Sequence, residues 1–423
     1  MDSTEVLSFP GEVSVERATI ITRDGSTIDI LPMIAEISLY EDLFSTTMSG
    51  HILIEDSNDL INTLPLLGQE LFSLRLKTPT LVTFVDKVFY IYKLQARKSK
   101  KRSQTYMLNF CSRELIASSN SKVSKSFSGN ITDNVESIFR DPRYLASDSL
   151  LYLDRTKNSY SFIAPYWSPL ETINWMTGKS INEKGVPNYL FFETNQSFEY
   201  VSVDKLINGP VTRNYIYSDV DSNTITSSND DMESRYSIVE SIETGVTFDY
   251  LRNLNAGMLS SKLSTIDLTT KNINSNTFDY IDDFDKSTHL EKYPLKTNSL
   301  LRRKVASLYF LEKNNYQTGS FQKQGYKDFF LQRNSLLEQL TAFKIAIKVY
   351  GRTDIKVGQV VKFTMPEMRQ ILADEIDTTG ISDYYGGKYL VTAIKHQIIS
   401  GHHTMLLEIV SDSFIKPLVN NLK

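Results

Sequence analysis

The first third of the chain is a succession of short segments in which apolar and polar residues alternate. Phe72, Leu74 and Leu76 alternate with Ser73, Arg75 and Lys77, the two-residue period of a half-buried strand. Val88, Tyr90, Tyr92 and Leu94 share one face of the next segment, and Tyr106, Leu108 and Phe110 share one face of the segment after it. Upstream, Ala18–Thr22 turns at Asp24-Gly25 into Thr27–Leu31, a hairpin signature. Ile34–Leu39 and Met48–Ile54 add two strands. The pattern predicts about seven strands over residues 1–112, enough for a small antiparallel β-barrel.

From residue 113 the period changes. Asp133 with Glu136 resembles a capping box, and Ile131, Val135, Ile138 and Phe139 lie on one helical face ahead of Pro142. A stronger helix start is Ser168-Pro169-Leu170-Glu171, where Ser168 can cap, Pro169 suits the first helical position and Glu171 can reach back; Gly178 is its terminator. Asn188–Thr194 and Phe198–Val203 read as a hairpin around Asn195-Gln196. Residues 113–210 are therefore expected to form a small α+β domain. Residues 219–235 are polar and read as a loop, and Tyr236–Thr247 as a strand. The stretch 260–335 has no clear period and is rich in Asn, Lys, Ser and Asp, which predicts an irregular insertion ordered by a partner. Helical spacing returns over Asp328–Leu340, followed by a strand in which Phe343, Ile345, Ile347 and Val349 alternate with polar neighbours.

The two ends of the chain look alike. Leu67-Gly68-Gln69-Glu70 leads into a strand, then Val88–Leu94, a basic turn over Arg97–Arg102 and a last strand, Thr105–Cys111, closing on Ser112. Val357-Gly358-Gln359-Val360 leads into a strand, then Tyr389–Lys395, a polar turn at Ser400-Gly401-His402 and a last strand, Thr404–Val410, closing on Ser411. Two unrelated β-domains would also fit this pattern. A duplication predicts a mainly β chain with two related antiparallel barrels in tandem, the second interrupted, plus the α+β insert. The expected units are 1–112, 113–210, a discontinuous barrel from 211–250 and 336–414, an insertion over 251–335, and a tail over 415–423. A trimer of such a chain carries six barrels, so a threefold ring can match a sixfold one.

Composition narrows the chemistry. A length of 423 residues calls for several domains, and 41% hydrophobic with 23% charged residues describes a globular protein. The net charge of −4 makes no global case for nucleic acid. No stretch approaches the ~20 apolar residues of a membrane span, and the start has no secretory pattern, so folding in a cytosol is expected. The only cysteine, Cys111, excludes an intrachain disulfide and reads as a small strand residue rather than a nucleophile. The histidines, His51, His289, His396, His402 and His403, have no zinc-helix spacing, and His402-His403 falls in a predicted turn, where solvation is expected. The acidic groups at Asp230-Asp231 and Asp282-Asp283 near Asp285 sit in polar loops, unlike the fixed carboxylate pair of a glycosidase or a twelve-residue calcium loop. The basic run Arg97-Lys98-Ser99-Lys100-Lys101-Arg102 lacks interleaved aromatics and reads as a solvated hairpin tip or a protein contact. No catalytic residues, cofactor or metal are expected.

One run carries a resemblance. Arg333, Leu336-Leu337 and Leu340, then Gly351-Arg352-Thr353-Asp354-Ile355-Lys356-Val357-Gly358-Gln359-Val360-Val361, Gly387-Lys388-Tyr389-Leu390-Val391-Thr392 and His403-Thr404-Met405-Leu406-Leu407-Glu408 resemble the tail-hub proteins of contractile injection machines. These include the baseplate central hub of T-even-like phages, the late-control proteins of other tailed phages and the hub half of type VI secretion spikes. Ser168–Met176 is similar to the phage members, and the order of units spans nearly the whole chain. The resemblance implies a structural role for Gly351, Arg352, Val357, Gly358 and Gln359, and for Gly68 and Gln69 in the other copy. It implies a homotrimeric ring joining a sixfold tail tube to a threefold spike, other baseplate proteins as neighbours, and residence in a virion assembled in bacterial cytoplasm. DNA would pass through the lumen without specific binding. Because the sequence ends at Lys423 without a spike β-helix or lysozyme domain, the spike is expected to be a separate polypeptide. Residues 260–335 and Arg369–Tyr385 match no family pattern. The rival expectation is a cell-wall-degrading or glycan-binding tail module using residues 113–210. A third is DNA guidance through Lys98, Lys100 and Lys101.

Overall fold

Seven strands stand where the alternation predicts them in the computed structural model, which describes residues 7–63, 66–99, 103–217, 231–243, 247–266, 271–295, 308–313, 326–366, 382 and 384–417. They are β1 (Ser14–Ile21), β2 (Thr27–Asp29), β3 (Ile34–Asp42), β4 (Ser49–Asp56), β5 (Leu71–Lys77), β6 (Phe84–Ser99) and β7 (Gln104–Ser112). Phe72, Leu74, Leu76, Tyr106, Leu108 and Phe110 enter one core with Ile20, Leu39 and Ile52. On β6 the face singled out in the sequence turns outward: Val88 and Tyr92 are exposed, and Val85, Phe89 and Ile91 are buried. Both faces of β6 are apolar, so alternation alone does not choose between them. Packing of Phe89 and Phe72 against Phe110, at centroid distances of 4.8 and 5.1 Å, does.

The α+β region is built from short strands and well-capped helices. Its strands are β8 (Ser126–Phe127), β9 (Leu151–Leu153), β10 (Phe162–Ile163), β11 (Tyr189–Glu193) and β12 (Phe198–Ser202). The helix Ile131–Arg140 starts from Asn130, whose side chain accepts from the Thr132 amide; the expected Asp133/Glu136 box does not form, because Asp133 already lies in the first turn. The helix Pro169–Thr177 has the expected capping box: Ser168 Oγ accepts from the Glu171 amide, and the Glu171 carboxylate accepts from the Ser168 amide. Its Ile173 and Met176 pack with Val135, Phe139, Phe191 and Phe198 in a separate core.

The remaining strands are β13 (Val211–Ile216), β14 (Val239–Ile242), β15 (Ser260–Ile266), β16 (Ile273–Asp279), β17 (Tyr293–Pro294), β18 (Leu308–Lys313), β19 (Lys344–Tyr350), β20 (Val360–Thr364), β21 (Gly387–Ile399), β22 (His402–Val410) and β23 (Ser413–Phe414). The stretch expected to be irregular thus holds a sheet, with β15 between antiparallel β16 and parallel β18, and then the helix Tyr326–Gln339. The strand signal was hidden because β15 buries Ser261, Ser264 and Thr265 beside Leu263, so polarity does not alternate. Residues 231–235, expected in a loop, are a short helix. The rest of that loop (219–230), residues 100–102 of the basic turn, and residues 369–381 and 383 of the 369–385 insert lie outside the described residues.

Both ends of the chain belong to one thirteen-stranded sheet rather than to two separately closed barrels. They join where β21 pairs antiparallel with β3, from Ala393 opposite Asp42 to Ile398 opposite Ile37. This is possible because β21 is 13 residues long and β20 bonds only its first four, Gly387–Leu390. β20 also pairs in parallel with β13, whose Ile216 bridges Ile238, next to β14 at the far end of the sheet. The strand order β3-β4-β7-β6-β5 recurs as β14-β19-β22-β21-β20. A bulge lies between Ile91 and Lys93, opposite Phe110 and Asn109; another lies between Val391 and Ala393, opposite Ile409 and Glu408. The Ser112 amide donates to the Met48 carbonyl at 3.1 Å, and the Ser411 amide to the Phe343 carbonyl at 3.0 Å; each carbonyl immediately precedes the paired strand. The correspondence stops at the outer strand, since β1 runs antiparallel to β5 but β13 parallel to β20.

Candidate functional site

The run Gly351–Gln359 connects β19 to β20 and folds as a tight loop. Gly358 takes φ = +83°, a conformation open to glycine. Gln359 ties the loop to itself: its Oε1 accepts from the Lys356 amide at 3.2 Å and its Nε2 donates to the Asp354 carbonyl at 3.2 Å. The Val357 amide donates to Glu41 Oε2 on β3 at 3.3 Å. The Thr353 amide donates to Thr78 Oγ1 at 3.2 Å, and its hydroxyl to the Thr83 carbonyl at 2.9 Å. From the α+β hairpin, Asn195 Nδ2 donates to the carbonyls of Thr353 (3.1 Å) and Ile355 (3.2 Å), while Lys356 pairs with Glu199 at 2.5 Å. Strand β3, the connection between β5 and β6, and the α+β region therefore meet on this one loop.

Arg352 fixes a further element. Its guanidinium is buried, holds Asp354 by two bonds of 3.0 and 2.8 Å, and reaches both Glu233 oxygens at 2.9 and 2.7 Å. Burial opposes its charge, but Asp354 and Glu233 more than offset this and raise its pKa. The first copy is held differently. Gly68 again has positive φ, +85°, but here the Glu70 carboxylate accepts from the amides of Leu67, Gly68 and Gln69 at 2.9, 2.9 and 3.0 Å, and the Gln69 side chain is exposed. Gly68 and Gln69 thus shape the turn before β5, apart from the junction loop.

Behind the loop lies a buried polar chain. His403 Nε2 is 3.0 Å from His396 Nδ1, and His396 Nε2 is 2.9 Å from Glu41 Oε1. This corrects the expectation of solvation for His403, while His402 is exposed as expected. The turn is only Ser400-Gly401, both left-handed at φ = +52° and +81°, so the strand resumes at His402 and its alternation sends His403 inward with Met405 and Leu407. Gly351 lies against this ring, and a Cβ there would fall 2.1–2.4 Å from the His403 atoms.

Burial, and then the neighbouring His396, hold the His403 pKa well below 6.5. Below about pH 6.5 the unfolded chain takes up a proton that folded His403 refuses, so stability falls as pH drops, by up to about 1.4 kcal/mol per unit. His289, 2.7 Å from Asp412, runs the other way: burial lowers its pKa, but Asp412 raises it more. Its contribution is complete below pH 6.5 and is lost as pH rises through the raised value. Denaturant unfolding at pH 6.5 and one unit lower should therefore show the His403 loss; a flat profile would mean that the ring protonates in place.

A second buried contact latches the α+β region to the first strands. Glu193, at the end of β11, accepts from the Met48 amide at 2.8 Å and from the Ser112 hydroxyl, and pairs with Lys87 at 2.6 Å. Two other buried carboxylates of this region bind its own segments together. Glu114 accepts from Ser147, and Asp204 from Asn182 and Asn188. Burial pushes the Cys111 thiol up to about 11, which disfavours the thiolate. Glu41, His396, Glu193 and Glu233 gave no local signal, and Asn195 gave only that of a hairpin turn; the alternation His403-Met405-Leu407 would have flagged one member of the buried chain. No helix among the described residues is long and apolar enough to cross a membrane.

No protein-family model matches the sequence, and no curated protein matches it. Among solved structures the chain is similar to a tail protein of Neisseria meningitidis MC58, at 10% identity over 94% of this chain and 96% of that one, with a TM-score of 0.53. It is also similar to the 43 kDa tail protein of prophage MuSo2 from Shewanella oneidensis, at 9% identity over 95% and 99%, with a TM-score of 0.57. The fold is thus that of phage tail proteins along nearly its whole length, as the sequence motifs suggest.

Proposed function

We propose, from this shared fold, that the chain is the structural hub of a contractile-tail baseplate, a non-enzymatic homotrimer. Its two related modules per subunit make a pseudo-sixfold ring that adapts a sixfold tail tube to a threefold central spike. Further baseplate proteins surround it, and DNA passes through its lumen without specific binding. It is assembled in the bacterial host's cytoplasm and resides in the virion tail.

The observation that carries this reading is the internal match: the same five-strand order, with a bulge at the same rung and the same closing serine bond. Unrelated domains have no reason to share a bulge at one rung, since bulges are specific features of a ladder. We take the second module as a barrel whose pairing returns through Ile216 and Ile238. The division into 1–112, 113–210, 211–250 with 336–414, and 251–335 is supported by a hydrophobic cluster centred in each unit, and Tyr215 and Val239 share theirs with Ile345 and Phe363; Leu190, Phe192 and Val201 of 113–210 also enter that last cluster and join the two units. Phe84, Val88 and Tyr92, exposed along β6, are apolar surface of the kind an obligate interface covers.

Light scattering on the purified chain tests the ring. The expected mass is three times 48.3 kDa, independent of concentration. A chain that stays monomeric even when a spike candidate is added would overturn the reading.

A further inference from the structure

In each module the longest strand outruns its neighbour. β20 bonds β21 over Gly387–Leu390, and β5 bonds β6 over Phe84–Tyr90. The edge left on β21 is covered within the chain by β3. The matching edge of β6, Lys93–Ser99, bonds β7 on one side and, among the described residues, pairs with no strand on the other. Counterparts can be assigned from the ladders. Lys93 matches Ala393 across the common bulge; past a second bulge between Gln95 and Lys98, which β21 does not share, Lys98 opposite Thr105 matches Gln397 opposite Thr404, and Ser99 matches Ile398.

The strand that covers β21 also has a counterpart. Ile37 of β3 lies opposite Ile52, and Ile242 of β14 lies opposite Ile347, at the same rung of the matching pair. β14 bonds β19 on one side and, past the bridge at Ile238, pairs with no other strand among the described residues. The chain thus contains one completed junction, β21 on β3, and the two separated halves of a second.

We infer that β14 of one subunit covers the free edge of β6 in the next copy, antiparallel, repeating between subunits the junction formed inside each; this rests on the trimeric-ring reading. In the internal junction Gln397 lies opposite Ser38 and Ile398 opposite Ile37. Carried across, the register sets Lys98 opposite Glu243 and Ser99 opposite Ile242. Lys98 and Glu243 are both exposed and opposite in charge, which suits a directly facing cross-strand pair. Lys93, Arg97 and Lys98 also explain how such an edge stays soluble before assembly, because charge on an open edge discourages indiscriminate pairing. Three internal and three intersubunit junctions then alternate around a closed ring, giving six similar contacts from three chains.

The test uses the full chain carrying Lys98→Cys with Glu243→Cys, oxidised mildly and run on a non-reducing gel. Covalent dimers and trimers are expected from the double variant, but not from either single one or from Lys98→Cys with Asn174→Cys. Independently, Lys98→Glu should lower the trimer fraction several-fold, and Lys98→Glu with Glu243→Lys should restore it. A trimer by light scattering that neither cross-links nor responds to charge reversal would overturn the edge assignment and leave the ring standing. A chain monomeric both alone and with a spike candidate would remove both.

Discussion

Replacing Glu193 by alanine is expected to destabilise the protein by about 3–5 kcal/mol, the cost of breaking a buried pair by removing one partner. Glu193 is 2% exposed and serves three donors at once: the Met48 amide, the Ser112 hydroxyl and Lys87. Alanine leaves Lys87, whose side chain is 14% exposed, with an uncompensated charge, and strips two further donors of their acceptor. Burial pushes the Glu193 carboxyl above the usual range, and Lys87 pulls it back. Desolvation thus outweighs what Lys87 gives back. It follows that Glu193→Gln, which keeps an acceptor, should cost less, and that Glu193→Leu with Lys87→Met should recover most of the loss. Urea unfolding of the three variants measures this. A loss below about 1 kcal/mol in Glu193→Ala would show that the α+β region is not latched through this residue.

Gly351→Ala is expected to cost about 3 kcal/mol, the upper part of the range for overpacking a filled interior. The added methyl would sit 2.1–2.4 Å from Cγ, Cδ2 and Nδ1 of His403. That ring has little room to retreat. Its Nε2 is engaged by His396, its amide donates to the Gly11 carbonyl at 2.7 Å, and its carbonyl accepts from the Gly351 amide at 2.8 Å. The clash is thus with the polar chain that runs from His403 through His396 to Glu41, between the second module and β3. Adding His403→Ala should relieve the strain, so that the double variant is more stable than the sum of the two single losses predicts. Thermal or denaturant unfolding of the set decides it; simple additivity would mean that the methyl is accommodated elsewhere.

What the sequence determined by itself is local. The seven N-terminal strands, the Ser168/Glu171 capping box, the hairpin around Asn195 and the helix ending near Leu340 all depend on residues within a few positions of one another. Side-chain alternation, caps and turn residues act over just that range. The repeated Gly-Gln strand pattern was legible for the same reason, and the resemblance marked Gly351–Gln359 without saying what the loop holds. The tertiary structure decided the rest. Met48 meets Glu193 across 145 residues, Val357 meets Glu41 across 316, and His396 meets Glu41 across 355. No local period encodes such partners. β6 is apolar on both faces, so only its neighbours could choose the buried one. β15 buries serines, so its strand was invisible to hydrophobic alternation. The joining of both modules into one sheet came from a length difference, β21 outrunning β20, that has meaning only once the strands are paired.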